Sequence, residues 1–180
     1  MEWKDLPITK AVYRKLLTEK VVPAIMQKWP RSEWNDKRRI IRIQQDGPNT
    51  HIDPEDDEWN QSLEELGVAD KILLYTQPAN SPDLNINDLG FFRALQSAYL
   101  EFSPEGPEDI IKYVNRAYEE FPTDKINFIW LTLQSCMNEI ISCHGDNSYK
   151  VPHLGKEKLQ RAGSLPVSLL VTEDVDNWLT

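Results

Sequence analysis

Cysteine, positive charge and long apolar runs are all scarce in this chain, and each shortage closes off a class of protein. Two cysteines in 180 residues do not make a disulfide-stapled secreted scaffold. Cys136 and Cys143 stand on one helix-patterned segment about two turns, or roughly 10 Å, apart, too far for a bond between them. They read as buried thiols in a reducing compartment. No apolar stretch reaches the roughly 18 residues of a membrane-spanning helix, and the opening M-E-W-K-D lacks a signal-peptide core. The expectation is an intracellular, soluble protein with no membrane partner. Lys and Arg total 20 against 29 Asp and Glu, a net charge of −9. The overall field therefore opposes phosphate binding, and any contact with nucleic acid has to use a local basic patch or metal ions. His51, His144 and His153 are too dispersed for a zinc site. Gly145 and Gly155 sit in no strand-turn-helix context that would make a phosphate loop.

What is present is aromatic bulk: six Trp, six Tyr and five Phe indicate a packed body rather than disorder. The length suits one domain, and no internal repeat or low-complexity tract interrupts it. Residues 9–29 predict a helix with Val12, Leu16, Val21, Ile25 and Trp29 on one face, Thr9 as its cap and Pro23 kinking or dividing it. R-R-I-I-R-I-Q at 39–45 and K-I-L-L-Y at 71–75 predict strands, the second apolar enough for a sheet covered on both faces. Between them an acidic stretch (Asp53, Glu55, Asp56, Asp57, Glu58) leads into a helix through Leu63 and Leu66 that Gly67 ends. Further helices are expected at 88–101 (burying Leu89, Phe92, Leu95, Tyr99), at 107–121 (Ile110, Val114, Ala117, Phe121) and at 123–143 (Ile126, Trp130, Leu133, Met137, Ile140). The tail from 144 is turn-rich, with V-S-L-L-V at 167–171 as an extended arm. Strands separated by helices indicate α/β architecture with parallel pairing, yet two strands make a poor sheet.

Taken singly, the chemically interesting residues have ordinary explanations. Asp46 in D-G-P after a strand is common turn chemistry. Asn85, Asn87 and Asp88 are good helix-start residues, and Asp83 in S-P-D-L braces its own loop. The run 53–58 lacks the alternating ligands and glycine of a calcium loop and fits a solvated helix start favoured by the macrodipole. Lys37, Arg38, Arg39 and Arg42 flank the strand that leads to Asp46. They form either a phosphate-contacting patch or a charged strand edge that resists aggregation.

The joint pattern is more specific. Q-Q-D-G-P-N-T-H at 44–51, an acidic helix, a strand, then Q-P-A-N-S-P-D-L-N-I-N-D-L-G-F-F at 77–92 resembles the catalytic core of Tc1/mariner-type DDE/D transposases, in the mariner-like branch whose third acidic residue is Asp. T-K-A-V-Y-R-K-L-L at 9–17, K-V-V-P-A-I at 20–25, G-F-F-R-A-L-Q-S at 90–97, Y-K-V-P-H-L-G-K at 149–156 and G-S-L-P at 163–166 extend the resemblance over much of the chain. It implies an RNase H-like, retroviral-integrase-type α/β fold, with 1–102 as a partial catalytic core and 103–180 as its helical extension. It makes Asp46 and Asp88 the second and third catalytic, metal-binding aspartates, with 41 residues between them, and leaves Asp83 as a loop brace. Gly47 replaces the Asn that relatives usually carry after Q-Q-D.

What the resemblance further implies is DNA cleavage and strand transfer in the nucleus at transposon ends, using magnesium or manganese held by three carboxylates. The first of those carboxylates lies, in the family, on an opening strand well before the helix matched by 9–25. Eight residues precede that helix here, and Asp5 has no apolar strand around it. The expectation is a truncated fold without the opening strands, inactive alone. A different expectation is a non-catalytic module that forms a homodimer or binds a full-length transposase, and a third is a weak nuclease that recruits Asp83 or Glu58.

Overall fold

The computed structural model describes residues 7–36 and 38–171, so Lys37 and Asp5 lie outside the described residues. The chain divides into two compact units, residues 1–80 and residues 81–180, so the second unit begins ahead of the 102/103 subdivision expected from the resemblance.

In the first unit, Thr9 starts α1 (Lys10–Leu16) by accepting a hydrogen bond from the Val12 N–H at 3.3 Å. Pro23 then acts as expected, but through a turn rather than a break. A proline ring has no N–H and crowds the carbonyl four residues earlier. The helix widens into a π-turn, Leu17–Val21, and resumes as α2 (Val22–Lys28). A π-turn takes up an extra residue, and this moves the buried face. Leu17 and Val22 are buried, with Tyr13, Ile25 and Trp29 packed against them, while the expected Leu16 and Val21 are exposed.

A short α3 (Arg31–Trp34) is stitched down by buried Lys71, whose Nζ donates to the Glu33 and Asp36 carbonyls at 3.3 and 2.6 Å. Strand β1 (Ile41–Gln45) and strand β2 (Ile72–Thr76) pair in parallel, Ile41 opposite Ile72 and Gln45 opposite Thr76. They form a two-stranded sheet among the described residues. The crossover is α4 (Asp57–Glu65). Asp56 caps it by accepting from the Trp59 N–H at 2.9 Å. Gly67, at φ +67°, ends it by letting the Val68 N–H return to the Leu63 carbonyl at 2.9 Å, a reversal that favours glycine.

Leu17, Val22, Ile41, Ile52, Trp59, Leu63, Val68, Ile72 and Leu74 close one hydrophobic core. Each large side chain buried there contributes roughly 1.5–3 kcal/mol. The sheet is covered on this face alone. Leu73 and Tyr75, on the opposite face, are 44% and 47% exposed, which corrects the expectation that β2 is covered on both sides.

The second unit is helical. A short 3-10 turn, Pro82–Leu84, leads to a π-turn, Asn87–Phe91, and α5 (Phe92–Leu100), followed by α6 (Pro107–Glu119) and α7 (Thr123–Ser142). Phase is again where the expectation slips. Phe91, not Phe92, meets the rings of Tyr118 and Phe121, and Phe92 is exposed. On α7 the buried side chains are Phe128, Leu131, Leu133, Ser135 and Cys136, while Trp130 and Met137 are nearly half exposed. Cys136 is a buried thiol as expected, but Cys143 is exposed; both are free. The tail holds an unexpected helix, α8 (Lys156–Arg161). After Gly163 (φ +65°) it runs in non-regular conformation along α7, where Leu169 N–H donates to Gln134 at 2.6 Å and Asn138 donates to the Leu170 carbonyl at 3.0 Å. The protein is thus a mixed α/β chain with a small parallel sheet, and among the described residues no helix is long and apolar enough to cross a membrane.

Candidate functional site

Parallel strands bring their carboxyl ends together, and ligands of α/β sheets collect beyond those ends. Here a polar cleft of about 170 Å³ lies there, lined by Gln45 and Thr76 at the ends of β1 and β2, Asp46 just past β1, and His51, Asp53 and Lys10 around them. Gln45 is its rigid wall. Its side-chain N–H groups donate to the Ile52 carbonyl at 2.7 Å and the Thr76 hydroxyl at 3.1 Å, tying the two strand ends to the following turn. Its Oε1 is buried without a hydrogen-bond partner, an acceptor left for water or a donor group.

Asp46 is the first residue past β1, and its side chain is 48% exposed. The turn after it returns His51 to its side, with Nδ1 3.1 Å from Oδ1 and 3.0 Å from the Asp46 carbonyl. Both partners are acceptors, so Nδ1 carries the hydrogen. The imidazole is stacked on Tyr13, centroids 4.0 Å apart, and thus clamped between α1 and the turn. Burial first, and the charge of Asp46 second, hold the Tyr13 hydroxyl above its ordinary pKa. Asp46 Oδ1 is thereby committed to His51. Dispersal of the histidines hid this pairing from a search for zinc ligands; the usable signal was a histidine five residues beyond an aspartate in a proline-bearing turn.

Asp88 is the second residue of the π-turn Asn87–Phe91 and is exposed. The helix start is braced by Asn85, whose side chain accepts from the Asn87 N–H at 3.1 Å. Asp83 is engaged elsewhere, accepting a hydrogen bond from the Tyr149 hydroxyl, so the S-P-D-L loop is fixed to the tail. Glu58, the other expected substitute ligand, pairs with Arg14 at 2.8 Å. Asp46 belongs to the first unit and Asp88 to the second.

Among the basic residues, Arg38 bonds both carboxylate oxygens of Asp36 at 3.1 Å and holds that carboxyl below the usual range. Arg39 and Arg42 are exposed, with no ion-pair partner among the described residues. The acidic run has a structural use that its composition did not announce. Arg14 reaches from α1 to bond Asp56 twice, at 2.8 and 2.7 Å, and the guanidinium holds Asp56 low.

The fit to a divalent cation is partial. Asp46 offers an exposed carboxylate with one oxygen engaged, but among the described residues no three His, Cys, Asp or Glu side chains are grouped to hold a metal ion. No protein-family model, curated protein or solved structure matches the chain.

Proposed function

We propose that these 180 residues are part of the catalytic domain of a mariner-like DDE/D transposase, carrying the second and third catalytic aspartates on an RNase H-like core. Asp46 and Asp88 are the residues that would hold magnesium or manganese, and the bound cations would activate a water or a 3′-hydroxyl for attack on a DNA phosphodiester. DNA is the partner and the nucleus the place of action, with Arg39 and Arg42 the exposed cations nearest in sequence to Asp46. The observation that supports this reading best is the position of Asp46. It stands directly beyond the carboxyl end of a parallel strand, with its carboxylate half in water and the following turn folded back to brace it.

With two of three carboxylates, the chain alone is expected to neither nick nor join DNA. Magnesium-dependent nicking of a plasmid by the purified chain, abolished by Asp46→Ala, would overturn that expectation. The ancestry is tested by the nucleotide sequence immediately upstream: an in-frame apolar strand containing an aspartate, after helix-turn-helix coding, is expected, and unrelated sequence there counts against it. The apolar side chains left in water on Leu73, Tyr75, Val167 and Leu170 favour a second reading, a non-catalytic module that pairs with another copy or with a full-length transposase. A monomer by light scattering with no binding to such a relative would remove it.

A further inference from the structure

A groove of about 360 Å³ runs between β2 and α4, with Trp59, Leu63, Ile72 and Leu74 among its lining. Leu73 lines it too, so residues of both faces of the sheet border it, and the groove follows the strand's edge rather than a face. The hydrogen bonds from Ile41 N–H to the Lys71 carbonyl and from Gln77 N–H to the Gln45 carbonyl, both 2.9 Å, set the phase of the ladder. With that register the backbone groups of Leu73 and Tyr75 serve β1, and those of Leu74 point outward. Glu55 and Glu64 stand on the rim, exposed and without ion-pair partners among the described residues.

The tail has the opposite character. Val167 and Leu170 are 89% and 90% exposed. Of the 167–171 segment Leu169 alone is partly buried, and two side-chain hydrogen bonds hold it to α7. Its five residues match the five of β2, and it is uncharged, whereas exposed Lys158 and Arg161 lie just upstream on α8.

We propose that the 167–171 arm of a second copy docks as an added strand along β2, with Lys158 and Arg161 of that copy facing Glu55 and Glu64. Strand addition of this kind draws affinity from main-chain hydrogen bonds and selectivity from alternate side chains. Here the charged rim selects the partner. Two copies that exchange arms form a closed pair, each supplying one groove and one strand. The inference gives the second reading a defined surface and is independent of the transposase ancestry.

Sedimentation of the full chain over a concentration series tests it, together with hydrogen exchange at the Leu74 amide. A concentration-dependent dimer is expected, with exchange at Leu74 slowing as dimer forms. Leu170→Asp, at an exposed position, is expected to abolish the dimer and leave the circular dichroism unchanged. The pairs Glu55→Arg/Glu64→Arg and Lys158→Glu/Arg161→Glu should each weaken self-association by roughly tenfold. Mixing those two variants should restore it, because both grooves of the mixed dimer then meet an arm of opposite charge. A chain that stays monomeric removes this inference, and it removes the second reading as well only where the chain also fails to bind a full-length transposase. A dimer indifferent to Leu170→Asp and to the charge pairs removes the inference and leaves the second reading standing. Leu74 protection in a monomer would mean that the arm seats in its own chain, and would also overturn the exchange.

Discussion

The two units handle apolar residues in different ways. The first gathers them from α1, α2, β1, α4 and β2 into a single core around Trp59, Val22 and Ile72, each at most 1% exposed. The second lays its core along one long helix, α7, and leaves Phe92, Tyr118 and Leu170 more than half in water, beyond any large apolar residue described in the first unit. A crossover between parallel strands closes a core from residues far apart in sequence. A run of helices buries only the stripes that its own neighbours cover. The same residue type therefore carries different weight in the two places.

Two tryptophans put that contrast at its sharpest. Trp59→Ala is expected to cost about 3–5 kcal/mol and to unfold the first unit's core, whereas Trp130→Ala, 46% exposed, should cost under about 1 kcal/mol. Urea unfolding followed by near-ultraviolet dichroism reads both, and equal losses would break the comparison.

A smaller effect, also confined to the first unit, comes from the Arg14–Asp56 clamp. Its side chains are 18% and 17% exposed, and Asp56 is also the cap of α4, so Asp56→Ala should cost roughly 2–3 kcal/mol. The guanidinium lowers the Asp56 pKa on folding. The stabilisation is thus present above the unfolded carboxyl's pKa and is lost as pH falls through the lower, folded value. Unfolding free energies measured between roughly pH 5 and 2 should fall more steeply in the native chain than in Asp56→Asn. Parallel curves would show that the clamp is screened out.

The smallest test compares two glycines. Gly67→Ala forces an alanine to φ +67° and should cost about 1 kcal/mol. At Gly90 an added Cβ would rest 3.4 Å from Ile129, an ordinary contact, so Gly90→Ala should shift stability by under about 1 kcal/mol. Thermal melts of the pair separate conformational need from mere occurrence.

Strand positions, the acidic crossover helix and its Gly67 stop were legible because turn chemistry and β-branched runs act locally. The parallel pairing followed from the helix between the strands. Helix faces were not legible where the turn is not 3.6 residues. At Leu16/Leu17 and at Phe91/Phe92 the exposed member of each pair was expected inside, and each pair adjoins or lies within a π-turn that a fixed period cannot anticipate. Trp130 and Met137 were misplaced for another reason: α7 is apolar on more than one side, and periodicity alone does not say which side a neighbour covers. In the cleft beyond β1 the motif pointed to Asp46, but not to the His51 brace or the Tyr13 stack, which need the three-dimensional return of the chain. Arg14–Asp56 was missed because its partners are 42 residues apart.

The π-turn at Leu17–Val21 has a consequence for chain length itself. From Leu17 to Val22 the buried stripe steps five residues where an α-helix would step four. Losing one residue inside this turn would restore the ordinary step and leave Tyr13 and Leu17 before it, and Val22, Ile25 and Trp29 after it, facing the same core. A one-residue loss in α1 or α2 would instead rotate everything beyond it by about 100°. The turn is thus a built-in slack link, the place along this helix where losing one residue costs least.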